Sequence, residues 1–190
     1  RGKVKYPGKY LARKGERLSS IIERAGGYTS DAFLKGAIFS RKSVQVAEKV
    51  GQVKVIEDEK RRLVYDQTHM GSISQDASVS YAVVMKSRQE ALKFLEQRMS
   101  MNQGRIVLHL DNRHFKGSNE DIVIQDGDEL FIPAIPSSVH LIGGVQHSTS
   151  LAYKGSHTIE DYVNQVGGYT DYSEPGRLYV FHPNGTVSKG

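Results

Sequence analysis

The tetrapeptide Gly-Gly-Tyr-Thr occurs at residues 26–29 and again at 167–170, a displacement of 141 positions from Gly26 to Gly167. Its flanks repeat too. Val4 matches Val145, Lys14-Gly15 matches Lys154-Gly155, and single-residue shifts bring the remainder into line. The chain therefore has to build one small unit twice, and each local signal can be read in duplicate.

Ahead of each tetrapeptide lies the same apolar spacing. Leu18, Ile21, Ile22 and Ala25 fall at i, i+3, i+4 and i+7, as do Ile159, Tyr162, Val163 and Val166. That spacing predicts one apolar stripe on a short amphipathic helix. Gly26 and Gly167 follow the last stripe position, where a sharply ending helix needs a residue that tolerates positive φ. Thr158 with Asp161 three residues on reads as a capping box. The tyrosine of each tetrapeptide is expected to pack over the helix end.

Two short β-type runs precede the first helix, at residues 3–6 and 9–12, split by the turn dipeptide Pro7-Gly8. A further β-rich run follows each helix, at residues 36–41 and 177–182. The unit is hairpin, helix, strand, and one helix laid across a small mixed sheet is an α+β design. In the first copy a strand is expected at residues 104–110 and a hairpin over 121–133, turning at Asp126-Gly127. Pro133 and Pro136 then mark a boundary, giving domains at 1–136 and 137–190. The second copy stops before any counterpart of 126–133. Together with a final stretch that reads as mid-hairpin, this suggests an excerpt of a longer protein.

Between the strands of the first copy, residues 42–103 differ in kind. They are rich in Lys, Glu, Gln, Arg and Ala, and contain no Pro. Helices are expected at about 42–65 and 80–101, the second with a Leu92, Leu95, Met99 stripe, joined by a polar, mobile link at 66–78. The reading is a helical hairpin inserted into the first unit.

Charge is unevenly spread. Residues 1–41 hold ten Lys/Arg against three Asp/Glu, whereas residues 104–136 hold three against six. An anionic partner is therefore expected to meet the chain near its beginning. The candidate residues are Lys3, Lys5, Lys9, Arg13, Lys14 and Arg17, several of which a hairpin at 3–12 brings together. They suit an acidic polysaccharide, an anionic lipid surface or an acidic subunit face; an ordinary solvated face is the alternative. Tyr6, Tyr10, Tyr28, Tyr153 and Tyr169 surround the repeated elements, and suit core packing, a protein interface or stacking on sugar rings.

The order Pro-Gly, Lys-Gly-Glu, Ala-Gly-Gly, Ser-Arg and Asp-Gly-Asp along residues 4–133 resembles an SLBB domain, the soluble-ligand-binding β-grasp fold. Tandem copies with a helical insertion in the first resemble bacterial polysaccharide biosynthesis and export proteins of the outer-membrane capsule-export class. That resemblance implies an α+β fold of two tandem β-grasp-like SLBB domains. It also implies a periplasmic location and homo-oligomeric rings in the full-length protein. The implied partners are a polysaccharide and an inner-membrane export or copolymerase protein.

Catalysis and cofactors find no motif. The seven His are scattered and no nucleophile elbow stands beside a Ser/His/Asp order. His109, Asp111 and His114 could suggest a metal site, but a solvated strand end is the expectation. The run Asp126–Glu129 lacks the ligand order of an EF-hand loop and reads as a turn. Neither Gly-Gly pair forms a phosphate-binding loop. The expectation is a protein that is not an enzyme and has no metal or cofactor. Cobalamin, bound by some other SLBB proteins, stands as a further possibility. Nucleic acid ranks last because the positive charge is local. Cysteine is absent, so disulfides and thiolate sites are excluded.

Overall fold

The computed structural model describes residues 1–68, 75–99 and 104–190. It divides into two compact units: Arg1–Phe39 with Val107–Gly190, and Ser40–Ile106. The first unit contains both copies of the repeat.

In the first copy, helix α1 (Leu18–Arg24) is followed by a 3-10 turn at Leu34–Gly36 and strand β1 (Ile38–Ser40). In the second, helix α4 (Ile159–Gln165) is followed by a 3-10 turn at Pro175–Arg177 and strand β6 (Tyr179–Phe181). The hydrogen bonds repeat at the same displacement as the letters. Gly27 N–H donates to Ile22 C=O at 2.9 Å, and Gly168 N–H to Val163 C=O at 2.9 Å. Val4 bridges Tyr28 antiparallel, as Val145 bridges Tyr169. Thr29 N–H reaches Lys3 C=O, as Thr170 N–H reaches Gly144 C=O.

The role of Gly-Gly-Tyr-Thr is thus a helix stop joined to a strand bridge. Both glycines of each pair take positive φ, between 78° and 90°. Only glycine does this without steric cost, so the chain reverses within two residues and lays its Tyr beside the Val of the opening segment.

The first copy is closed by the segment 121–135. Strand β3 (Glu129–Phe131) lies along one edge of β1, the central strand of a three-stranded sheet. Ile132 bridges Gly2 in parallel, accepts from Lys3 N–H at 2.8 Å and is fully buried. Phe33 N–H donates to Pro133 C=O and Ile135 N–H to Asp31 C=O. Val4, Leu18, Ile22, Phe39, Leu108, Leu110 and Phe115 are buried as well. Complete burial of a side chain such as Ile132 is worth about 1.5–3 kcal/mol.

The two helices are capped differently. Thr158 and Asp161 form the expected capping box on α4, each side chain accepting from the other's backbone N–H. Helix α1 has Arg17 at the cap position and no local side-chain cap. Its cap comes from Asp121, 102 residues on, whose carboxylate accepts from Ser19 N–H (2.9 Å) and Ser19 Oγ (2.7 Å). The same carboxylate accepts from Gly117 N–H, and is 1% exposed. Burial pushes the Asp121 carboxyl up. The Gly117 and Ser19 donors and the Arg17 charge outweigh it and hold the group below its ordinary range.

Several sequence expectations need correction. Residues 3–6 and 9–12 do not form a hairpin. In the second copy, strands β4 (Ser138–Leu141) and β5 (Thr149–Ala152) do pair, Val139 opposite Leu151. Residues 9–12 pair with no strand among the described residues. Side chains hold them instead: Tyr10 hydroxyl donates to Tyr6 C=O, and Arg24 to Leu11 C=O. The expected strand at 104–110 shortens to β2 (Arg105–Ile106). The turn at Asp126-Gly127 forms, with Gly127 at φ 80° and Asp128 accepting from Gln125 N–H. Its arms take separate partners, Val123 bridging Arg17 and β3 joining β1.

The second unit is a pair of long helices, α2 (Lys42–Thr68) and α3 (Gln75–Met99). A seam of Ile56, Leu63, Met85 and Leu92 is buried between them. Arg88 beside it pairs with Glu59 and with Asp66, the latter at 2.9 Å. Both helices extend into the stretch expected to be a mobile link; residues 69–74 lie outside those described, as does Met101. Leu95 is exposed rather than part of a stripe, and the Met99 side chain lies outside the description.

Asp121→Ala is expected to lower the free energy of unfolding by about 3 kcal/mol, because it strands buried donors. Thr158→Ala is expected to cost only about 1 kcal/mol. Urea melts of both variants check the contrast. Because the folded Asp121 is more acidic than the unfolded, its contribution is complete above pH of about 4 and disappears as pH falls further. Asp121→Asn should flatten that acid limb of the stability profile.

Candidate functional site

The basic opening segment is held on a frame built by Glu16 and Arg24. Glu16 accepts from Arg13 N–H (2.8 Å), Ser20 Oγ (2.9 Å) and the Arg24 guanidinium (3.0 Å). Its carboxylate is nearly covered, and the Arg13 N–H, then Ser20 and Arg24, hold it more acidic than an ordinary glutamate. Arg24 also lies 5.5 Å from the centre of the Tyr10 ring. A turn at Lys14-Gly15, with Gly15 at φ 77°, completes the frame. The loop from Tyr6 to Arg17 therefore has a defined course without regular secondary structure.

Of the six candidate cations, two meet acceptors within the chain. Lys3 Nζ pairs with Asp31 at 2.6 Å, and this contact, with Thr29, makes Asp31 more acidic. The Arg17 guanidinium donates to Asp121 C=O. Lys5, Lys9, Arg13 and Lys14 are exposed, and no ion pair engages their side chains among the described residues. Their backbone, rather than their charge, does the structural work: Lys5 N–H donates to Gly27 C=O and Arg13 N–H to Glu16. Tyr6 stands in the same loop, 67% exposed, with its ring over Gly26, where a Cβ would come within 2.8 Å of it.

This arrangement offers positive charge with an aromatic face nearby. Coulombic attraction at such exposed sites is modest, long-ranged and sensitive to salt. Sequence reasoning missed Arg24 and Asp121, which shape the loop. Their partners lie 8 and 102 residues away, and no local motif links them.

The remaining candidates resolve into structural roles. His109 lies outside any strand. Its N–H donates to Glu120 Oε2 at 2.7 Å and its Nδ1 meets Oε1 at 2.9 Å. His114 N–H caps onto Asn112. No group of three or more His, Cys, Asp or Glu positioned for a metal ion occurs among the described residues. Tyr28 is half-buried in its bridge to Val4, and burial pushes its phenol up. Tyr153 packs edge-on against Phe33, with ring centres 6.1 Å apart, so the two copies touch there. No helix among the described residues is long and apolar enough to cross a membrane.

The Glu120 hydrogen bond and charge, with a smaller contribution from Asp111, raise the His109 pKa. The ion pair is therefore complete below the ordinary histidine range and is lost as pH rises through the raised value. Glu120→Gln is expected to return His109 towards ordinary behaviour, read as the midpoint of its imidazole resonances against pH.

Comparison with known proteins places the SLBB domain family on residues 1–54. Two curated relatives, each named polysialic acid transport protein KpsD from Escherichia coli, are 28% identical over 90 and 88 residues. The matches cover 47% and 46% of this chain but 15% of each relative. The chain thus aligns with a small part of the length of those relatives.

Proposed function

With an SLBB domain at residues 1–54 as the premise, we propose that this chain is a periplasmic assembly module of a capsular or exopolysaccharide export protein. In this reading it contributes to an oligomeric translocation channel and performs no chemistry of its own. The observation that carries the reading is the pairing of an SLBB domain with relatives named for polysialic acid transport. The architecture suits it: small sheets with open edges are natural docking surfaces. Homo-oligomerisation of the full-length protein and contact with an inner-membrane export or copolymerase partner belong to this proposal.

A second reading is favoured by the exposed Lys5, Lys9, Arg13 and Lys14 beside Tyr6. In that reading the segment grips an acidic polysaccharide, the cations pairing with carboxylates and the ring stacking on a sugar face.

The two readings separate in an NMR titration with a defined acidic capsular oligosaccharide at low and moderate salt. The assembly reading expects no saturable shift in this chain. Saturable shifts at residues 5–14 that fade with salt, and that are lost in a Lys5→Ala, Lys9→Ala, Arg13→Ala, Lys14→Ala variant, would overturn it in favour of glycan binding. Removing residues 1–190 from the parent protein is expected to reduce its oligomer size, measured by sedimentation velocity.

A further inference from the structure

Helix α3 is apolar over a wider arc than its pairing with α2 uses. Met85 and Leu92 are buried in the seam between the two helices. At about 100° per residue, the surface of residues 83–95 turns one way from that seam through Leu95, Val84, Ala91 and Ser87. Turning the other way it meets Gln89, Lys93, Lys86 and Glu90. Val84 is 54% exposed, Leu95 49%, and Ala91 is exposed between them. Ser87 Oγ donates to Val83 C=O at 3.0 Å, so its hydroxyl is satisfied within the helix. Arg88 is the one charge on this side, and Glu59 and Asp66 neutralise it. A helix with a single neighbour needs only a narrow apolar seam; a stripe twice as wide serves a second one.

A groove of about 280 Å³ opens on the same side. Its lining on α3 is Arg88, Ala91, Leu92 and Leu95. These stand at i, i+3, i+4 and i+7, the four-residue hole that receives one side chain from a facing helix in knobs-into-holes packing. Val55, Ile56 and Glu59 of α2 form the other wall, with Val55 64% exposed at the rim. Ala91 is the smallest of the lining residues and gives the hole its depth. The opposite side of the helix pair is closed differently: Lys60 and Glu96 join the two helices there at 2.5 Å. The exposed Val46, Val50 and Val64 of α2 share that side with Glu57 and Lys60, which interrupt any apolar stripe.

We infer that the hole receives Leu95 from α3 of a second copy of this chain. Ala91 and Leu95 are one turn apart on the same face, one small and one large. Two α3 helices laid antiparallel about a two-fold axis therefore set each Leu95 over the Ala91 of the other copy, and one operation fills both holes. A surface that carries its own knob beside its own hole is self-complementary, which is what a two-fold contact requires. Val55 and Val84 are covered in the same step. Pairing along residues 84–95 buries on the order of 1,000 Å² for the two copies, where specific interfaces begin. The two helical pairs then form one four-helix arrangement. A two-fold contact closes at two copies, whereas a ring is built from head-to-tail contacts. The inference thus goes beyond the assembly reading above and stands or falls separately from it.

The test uses the 190-residue chain alone. Sedimentation velocity from micromolar to millimolar concentrations is expected to show a monomer–dimer equilibrium. Leu95→Ala removes the knob, and Ala91→Phe fills the hole from within its own chain; each should weaken dimerisation at least tenfold. Val50→Ala, on the far side of the helix pair, should leave it unchanged. All these positions are exposed, and circular dichroism of each variant checks that the helices persist. A mixture then tests the register. Ala91→Asp and Leu95→Lys are each expected to be monomeric by themselves. Mixed in equal amounts they should form a heterodimer, because the introduced carboxylate meets the introduced ammonium at one contact and the native Leu95 meets the native Ala91 at the other. A chain that stays monomeric throughout would overturn the proposal. So would a dimer that survives both Leu95→Ala and Ala91→Phe, a dimer that Val50→Ala weakens equally, or a mixture that remains monomeric.

Discussion

A buried carboxylate at residue 121 joins the beginning of the first copy to its end. Asp121 accepts from the first turn of α1 and from Gly117, so the helix that opens the unit is completed by a residue that arrives after the whole helical insertion. The interaction is demanding because both sides are removed from water: the carboxylate is covered, and the Ser19 donors are covered with it. Once it is made, the segment that follows is aimed along β1. Ile132 can then fill the core, and the Arg17 guanidinium donates to Asp121 C=O. The course of the basic loop, and the choice of cations left free, depend on this closure.

The two copies show what that closure is worth in structural terms. They share a helix stop, a Val–Tyr bridge and a 3-10 turn before the strand, which need only local sequence. They differ where a long-range segment enters. The first copy has a covered core and a cap supplied from far away; the second has a helix that caps itself. The long helical pair replaces, in the first copy, the tight turn that joins β6 to β7 (Val187–Lys189) in the second.

The exposed Lys5, Lys9, Arg13 and Lys14 ride on a loop fixed by Glu16 and Arg24, and the groove beside Ala91 is lined by two helices that share a buried seam. Each is a surface for contact. The assembly role proposed above uses surfaces of this kind.

The sequence by itself determined the repeat, both short helices, their glycine stops and the capping box of α4. These rest on interactions within one or two helical turns, where letter spacing maps directly onto contact. It also located the long helices of residues 42–99 and the turn at Asp126-Gly127. Tertiary structure decided the rest. The expected hairpin at 3–12 does not form because the backbone of residues 3–6 bonds to Ala25, Gly27 and Ile132 instead, and the arms of 121–133 pair elsewhere because better partners lie a hundred residues away. Of six cations that composition made equivalent, folding gave Lys3 and Arg17 acceptors within the chain and left Lys5, Lys9, Arg13 and Lys14 outside any ion pair among the described residues. Periodicity reports which face of an element is apolar; it carries no information about which distant carboxylate will meet that face, and here that meeting set the site.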